Sequence, residues 1–261
     1  MSNILLNPDV WLAFLTLVFL EVVLGIDNII FLSIMSNKAP KQQQAKVRNL
    51  GLLLAMLGRI ALLFGVSLLI KLTQPLFAVD TGWLSLTVNG QSIIILLGGL
   101  FLLYKSVSEI HHKMEEKDDA PEMKTKSSKM TMIITQIFLL DLVFSIDSVL
   151  TAIGMVSFTE FGYVGAMSIM VTAIVVTVLI MLFFSAPVSR FVNNHPTVQM
   201  LALSFLILIG VTLLIEAGHL AHLTVLGNSI SEIPKGYIYF AILFSLGVET
   251  LNLRMKKKNK K

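Results

Sequence analysis

Apolar positions run along this chain in long unbroken stretches, and polar residues are largely confined to the gaps between them. A helix that crosses a bilayer needs about 20 mostly apolar residues. Seven segments meet that length: 10–35, 48–70, 91–110, 131–155, 162–186, 198–217 and 236–254. The runs are continuous rather than alternating with period two, so helices are expected and strands are not. No basic flank precedes Trp11, and the first run outlasts the apolar region of a secretion signal, so a retained helix is expected there. The pattern predicts an all-α polytopic membrane protein.

Composition agrees. Hydrophobic residues make up 55% of the chain and charged residues 14%, with a mean hydropathy of +0.82. A soluble domain is about a quarter charged, so disordered chains and most soluble enzymes are excluded. The absence of cysteine removes disulfide frameworks, thiolate metal sites and cysteine nucleophiles. A net charge of +4 would suggest nucleic acid if the basic residues formed a patch. They stand instead at the borders of the apolar runs, so the expected surroundings are a lipid bilayer and no nucleic-acid partner.

Those borders also predict orientation, because Lys and Arg concentrate in cytoplasmic loops. Lys38, Lys41, Lys46 and Arg48 lie between the first two runs, and Lys113, Lys117, Lys124, Lys126 and Lys129 follow the third. Arg190 is placed in the loop after the fifth run, and Arg254, Lys256, Lys257, Lys258, Lys260 and Lys261 fill the tail. The alternate loops hold only Lys71 and Lys235. The N-terminus is therefore expected in the periplasm and the C-terminus in the cytoplasm.

Segment 111–130 is the one long hydrophilic stretch, and its mixed charges predict a flexible cytoplasmic linker. It separates a first three-helix repeat, 1–110, from a second, 131–222. Residues 223–261 then supply a seventh membrane helix and a basic tail. The division into repeats rests on a duplicated motif. Residues 19–30 read FLEVVLGIDNII and residues 139–150 read LLDLVFSIDSVL. At a constant offset of 120, Glu21 meets Asp141, Asp27 meets Asp147, Asn28 meets Ser148 and Gly25 meets Ser145. Gly99 aligns with Gly210 more weakly. Three spans per half is an odd number, so the second copy enters the membrane from the opposite side, the inverted-repeat plan of many secondary transporters.

Six acids lie within apolar runs: Glu21, Asp27, Asp141, Asp147, Glu216 and Glu249. Insertion scales charge about 2.5–3.5 kcal/mol for an ionised acid at a helix centre, so six unpaired would cost on the order of 15–20 kcal/mol. Arg59 is the one deep basic partner, since Lys105 can extend to the interface. The remaining acids must be protonated, hydrated or bound to a cation. Interhelical hydrogen bonding of neutral acids is the bland alternative, and for Asn28 and Ser148 it weighs as much as ligation. Carboxylates, the Asn28 amide and the Ser148 hydroxyl form an all-oxygen set that suits hard divalent cations such as Mg²⁺, Ca²⁺ and Mn²⁺. Gly25 suggests local unwinding of the first copy, stronger than in the second. Candidate accessory residues are Glu249, Arg59, Glu216 and His219, with His222 nearby. Glu249 either completes the site or pairs with Arg59. His111 and His112 are assigned to the linker, and Pro187 and Pro196 to loops.

With LEVVLGIDNIIFLS, DLVFSIDSVLTAIGM and IPKGYIYFAILFSLGVETLN in view, the chain resembles the TerC family of bacterial integral membrane proteins, in its short form without appended cytoplasmic domains. The resemblance implies an inner-membrane protein related to LysE-type transporters. It also implies manganese efflux and a link to tellurium resistance, with Glu21, Asp27, Asp141 and Asp147 as the acidic positions. The expected function is export of a divalent cation, with no enzymatic activity and no resident cofactor. No nucleotide-binding signature appears, so a gradient or a partner must supply energy. A partner or scaffold subunit without transport of its own, and an intramembrane aspartyl protease, are the competing readings. Oligomeric state is not legible.

Overall fold

The computed structural model describes residues 7–115 and 130–258, without the side chains of Leu24, Ile26, Asp27, Lys235, Leu253 and 256–258. The expected linker therefore falls largely outside the described residues. The chain forms two compact units, 1–72 with 124–190 and 73–123 with 191–261. Each unit thus draws segments from both halves of the sequence.

The first unit contains α1 (Pro8–Ser36), α2 (Gln44–Phe64), α3 (Val66–Leu72), α5 (Met130–Met155) and most of α6 (Phe158–Asn194). Asn7 caps α1 by accepting a 2.9 Å hydrogen bond from the Asp9 amide, and Pro8 occupies the first turn, where its missing N–H costs nothing. α1 then bends by 42° between Pro8–Val23 and Asn28–Ser36, around Gly25. α5, which carries the second copy of the motif, runs as one helix. α2 lies close against α5 because it turns Gly51 and Gly58 toward it. A Cβ on Gly51 would stand 3.0 Å from Ile137 Cγ2, and one on Gly58 would stand 2.8 Å from Phe138 Cε2. Small residues of this kind let helix backbones approach where no hydrophobic drive from water operates. Leu32, Leu63, Ile133, Leu140 and Val149 fill the space between these helices.

The second unit holds β1 (Pro75–Asp80), β2 (Leu84–Asn89), α4 (Gly90–Glu115), α7 (Pro196–Leu220), β3 (Thr224–Val225), β4 (Asn228–Ser229) and α8 (Lys235–Lys258). α4 and α7 pack at Gly99 and Gly210, where a Cβ on Gly99 would lie 3.1 Å from the Gly210 carbonyl oxygen. Asn89 caps α4, accepting from the Ser92 amide at 2.7 Å while the Ser92 hydroxyl receives the Asn89 N–H at 3.2 Å. The Asn89 amide also donates to the Leu220 carbonyl at 2.8 Å, tying the two helix ends together.

Among the described residues five helices are long and apolar enough to cross a membrane, or six if bent α1 counts as one span. α8, 24 residues long, covers the seventh expected run, and its stretch 236–253 holds Glu249 as its one charged residue. Several expectations need correction. The second run starts earlier, at Gln44, and breaks at Gly65 into α2 and α3. Pro187 lies inside α6, so Arg190 is helical rather than in a loop. Proline is tolerated within membrane helices because side chains and neighbouring helices can satisfy the carbonyl it frees. Pro196 opens α7 at its first turn, and His111 and His112 belong to the last turns of α4. A four-stranded antiparallel sheet of order β1-β2-β3-β4 was not expected. It is small, and the chain remains predominantly helical.

Candidate functional site

In the first unit the duplicated motif converges on one guanidinium. Glu21 stands on α1, just ahead of the bend, and Asp141 on the middle of α5. Arg59 reaches both from the last turns of α2. All three are buried, with 4%, 8% and 4% of their surface exposed for Glu21, Asp141 and Arg59. Arg59 Nη1 is paired with Glu21 Oε2. Its Nη2 donates to Asp141 Oδ1 at 2.8 Å and its Nε to Asp141 Oδ2 at 3.2 Å, the two-pronged grip that a planar guanidinium offers a carboxylate.

Asn28 and Ser145 complete the surroundings of Asp141. Asn28 Nδ2 donates to Asp141 Oδ1 at 3.0 Å, and Ser145 Oγ lies 3.1 Å from Oδ2 and 2.6 Å from the Asp141 carbonyl. The position that is Gly25 in one copy thus gives backbone space against Met181, and as Ser145 in the other it gives a donor. Beside the cluster lies a cavity of about 20 Å³, bounded by Asn28, Gly51, Ala55, Ile137 and Asp141 among others. One water-sized guest needs roughly 10–15 Å³ of such space. A larger cavity of about 640 Å³ near the starts of α1 and α6 is lined by Trp11, Phe14, Tyr163, Ile169 and other residues without formal charge. Its chemistry is that of the lipid-facing surface.

In ionised form two carboxylates share one positive charge, so the cluster carries an excess negative charge. Removing Arg59 from such a buried set would strand both carboxylates in low dielectric, whereas removing one acid leaves a balanced pair with unsatisfied donors.

The other expected site residues distribute as follows. Asp147 is half-buried on α5, two turns beyond Asp141, and the Asp27 side chain lies outside the described residues. Ser148 is buried but donates within its own helix, to the Ser145 carbonyl at 3.3 Å. Glu249 belongs to the second unit, where Thr197 Oγ1 donates to its Oε1 at 2.5 Å and Asn252 Nδ2 to its Oε2 at 3.4 Å. Arg59 pairs with Glu21 and Asp141 within the first unit. His219 Nδ1 stands 3.0 Å from the Ile230 carbonyl, Glu216 is half-buried on α7, and His222 is exposed with φ +47°. Among the described residues, no three His, Asp or Glu side chains are grouped so as to hold a metal ion. Sequence reasoning did not find the role of Ser145. The repeat alignment contained a signal for it, since a hydroxyl replaces a glycine one turn after Asp141.

The profile of the TerC family of integral membrane proteins matches residues 6–261, nearly the whole chain and both copies of the acidic motif. The chain belongs to the TerC family. Similar relatives agree: it is 44% identical over 253 residues to the UPF0053 inner membrane protein YgdQ of Escherichia coli (strain K12), covering 97% of this chain and 96% of the relative. It is 42% identical over 248 residues to the UPF0053 inner membrane protein YoaE of the same organism, covering 95% of this chain and 43% of that longer protein. For the UPF0053 protein YegH of that strain the identity is 41% over 246 residues, with 94% and 42% covered. This TerC-family chain thus corresponds to nearly all of one relative and to under half of two others. No solved structure matches it.

Proposed function

We propose that this protein is a multi-pass inner-membrane secondary transporter that exports a divalent metal cation, with manganese as the substrate. The observation that carries the reading is the buried cluster of Glu21, Asp141, Asn28 and Arg59. It is built from both copies of one motif, on helices apolar enough to span a membrane. Ionisable groups are placed there at a cost that function repays by default. Glu21, Asp27, Asn28, Asp141, Asp147 and Ser148 supply the oxygen ligands in this reading, an arrangement that favours hard divalent ions. The choice of manganese and of outward direction follows from TerC resemblance, and inner-membrane location accords with the names of YgdQ and YoaE.

The proposal includes the 3+3 inverted repeat with a seventh helix, an external N-terminus and a cytoplasmic C-terminus. The glycine contact between α4 and α7 supports the repeat, because Gly99 and Gly210 are also the positions that align between halves. No enzymatic step and no resident cofactor are assigned. The test is growth and cellular manganese content in high manganese, comparing wild type with Asp27→Asn and Asp147→Asn. Wild type should hold manganese low and the variants should not. Variants that resist manganese as well as wild type would remove these acids from the transport path.

A further inference from the structure

Asp141 is crowded with donors. An ionised carboxylate offers about four lone-pair directions: Asn28 Nδ2 and Arg59 Nη2 take those of Oδ1, Arg59 Nε takes one at Oδ2, and Ser145 shares its single O–H between Oδ2 at 3.1 Å and the Asp141 carbonyl at 2.6 Å. A cation that takes Asp141 as a ligand therefore meets a donor at nearly every position. Asn28 can turn its amide oxygen inward and Ser145 can turn its hydroxyl lone pair, so both can change from donor to ligand. Arg59 cannot, because a guanidinium has donors only and stays charged. Of the groups on Asp141, it alone opposes an incoming cation however it turns. It also holds Glu21, the equivalent acid of the first copy.

We infer that Arg59 is a built-in counter-cation that competes with the transported ion for Glu21 and Asp141, and that this competition sets valence selectivity. The inference rests on the transport reading above. A monovalent ion that displaces Arg59 replaces one positive charge by one positive charge and forfeits three directed, charge-assisted contacts. A divalent ion brings a second charge and neutralises both acids. Cells hold monovalent cations in large excess, and Arg59 keeps them from the two carboxylates. The small cavity between Asn28, Gly51 and Asp141 gives a dehydrated ion a place next to the carboxylate that Arg59 now holds.

The experiment measures Mn²⁺ binding by calorimetry on the purified full chain in detergent, with and without excess Na⁺. Arg59→Gln should bind Mn²⁺ roughly tenfold tighter than wild type, and its binding should weaken in Na⁺ where that of wild type does not. A structural role alone would leave the Na⁺ response unmoved. Arg59→Lys, which keeps the charge but loses the fork, guards against a misfolded first variant and should also bind Mn²⁺ more tightly than wild type. Affinity unchanged or weaker in the folded variants, or no gain of Na⁺ sensitivity, overturns the inference. Asp141→Asn separates the two claims: if it abolishes Mn²⁺ binding while Arg59→Gln and Arg59→Lys do not tighten it, the site stands and the competition falls. Binding that survives Asp141→Asn overturns both.

Discussion

Glu21 and Asp141, equivalent positions in two copies of one motif, grip the same Arg59 guanidinium from different helices. The leading acids of the two copies thus meet on a base that neither copy of the motif contains, contributed by α2. Each side chain is buried, so the set folds and fails together.

Replacing Asp141 with Ala should be strongly destabilising. Arg59 keeps Glu21 as its counter-charge, but its Nε and Nη2 and the Asn28 amide lose their buried acceptor, at about 1–3 kcal/mol for each group left unsatisfied. Ser148→Ala should cost little, because its hydroxyl reaches only the Ser145 carbonyl at 3.3 Å. Thermal unfolding of both variants in detergent checks the contrast, and similar melting temperatures would contradict it.

The helix contact at Gly51 predicts a second contrast. Gly51→Val pushes a branched side chain against Ile137 and Leu32 and should cost about 1–3 kcal/mol. Gly247, inside α8, has open space around it, with nothing within 4 Å of where a Cβ would stand. Gly247→Ala should be neutral or stabilising by up to about 1 kcal/mol, through helix propensity. The same unfolding assay reads both.

Gly162 isolates backbone from packing. It interrupts α6 at φ +66° and ψ +167°, a region essentially reserved for glycine, yet a Cβ there would meet open space. Gly162→Ala should destabilise by about 1–3 kcal/mol through strain alone. An unchanged melting temperature would show that the backbone relaxes.

His219 and His222 should be dispensable for transport. His219 Nδ1 lies against the Ile230 carbonyl, a contact that joins the end of α7 to the chain beyond β4. His219→Ala should lower stability modestly, by about 1 kcal/mol for one hydrogen bond, and leave Mn²⁺ flux per folded protein unchanged. A loss of flux with unaltered stability would instead give His219 a part in handling the ion.

The membrane helices were legible because a bilayer demands long apolar runs, a signal that does not depend on tertiary contacts. Their ends were less so. α6 continues past Pro187 and α4 past His112, since helix geometry persists into the polar border once the span has nucleated it. The β1–β2 hairpin carried a readable pattern in Leu84, Leu86 and Val88 alternating with Ser85 and Thr87 after the Asp80-Thr81-Gly82 turn, which the search for long runs passed over. The repeat offset singled out Glu21, Asn28 and Asp141, which the structure brings together. It could not show that Arg59 joins them, because one isolated arginine has no period and its partners are set by how α2 packs on α5.

The most direct measurement is Mn²⁺ flux into liposomes that contain only this purified protein, comparing wild type with Asp27→Asn and Asp147→Asn. The account predicts that wild type moves Mn²⁺ unaided and that each variant loses at least about 90% of the rate, a barrier rise of some 1.4 kcal/mol or more. Wild-type protein that moves no Mn²⁺, or variants that move it at the wild-type rate, would contradict it.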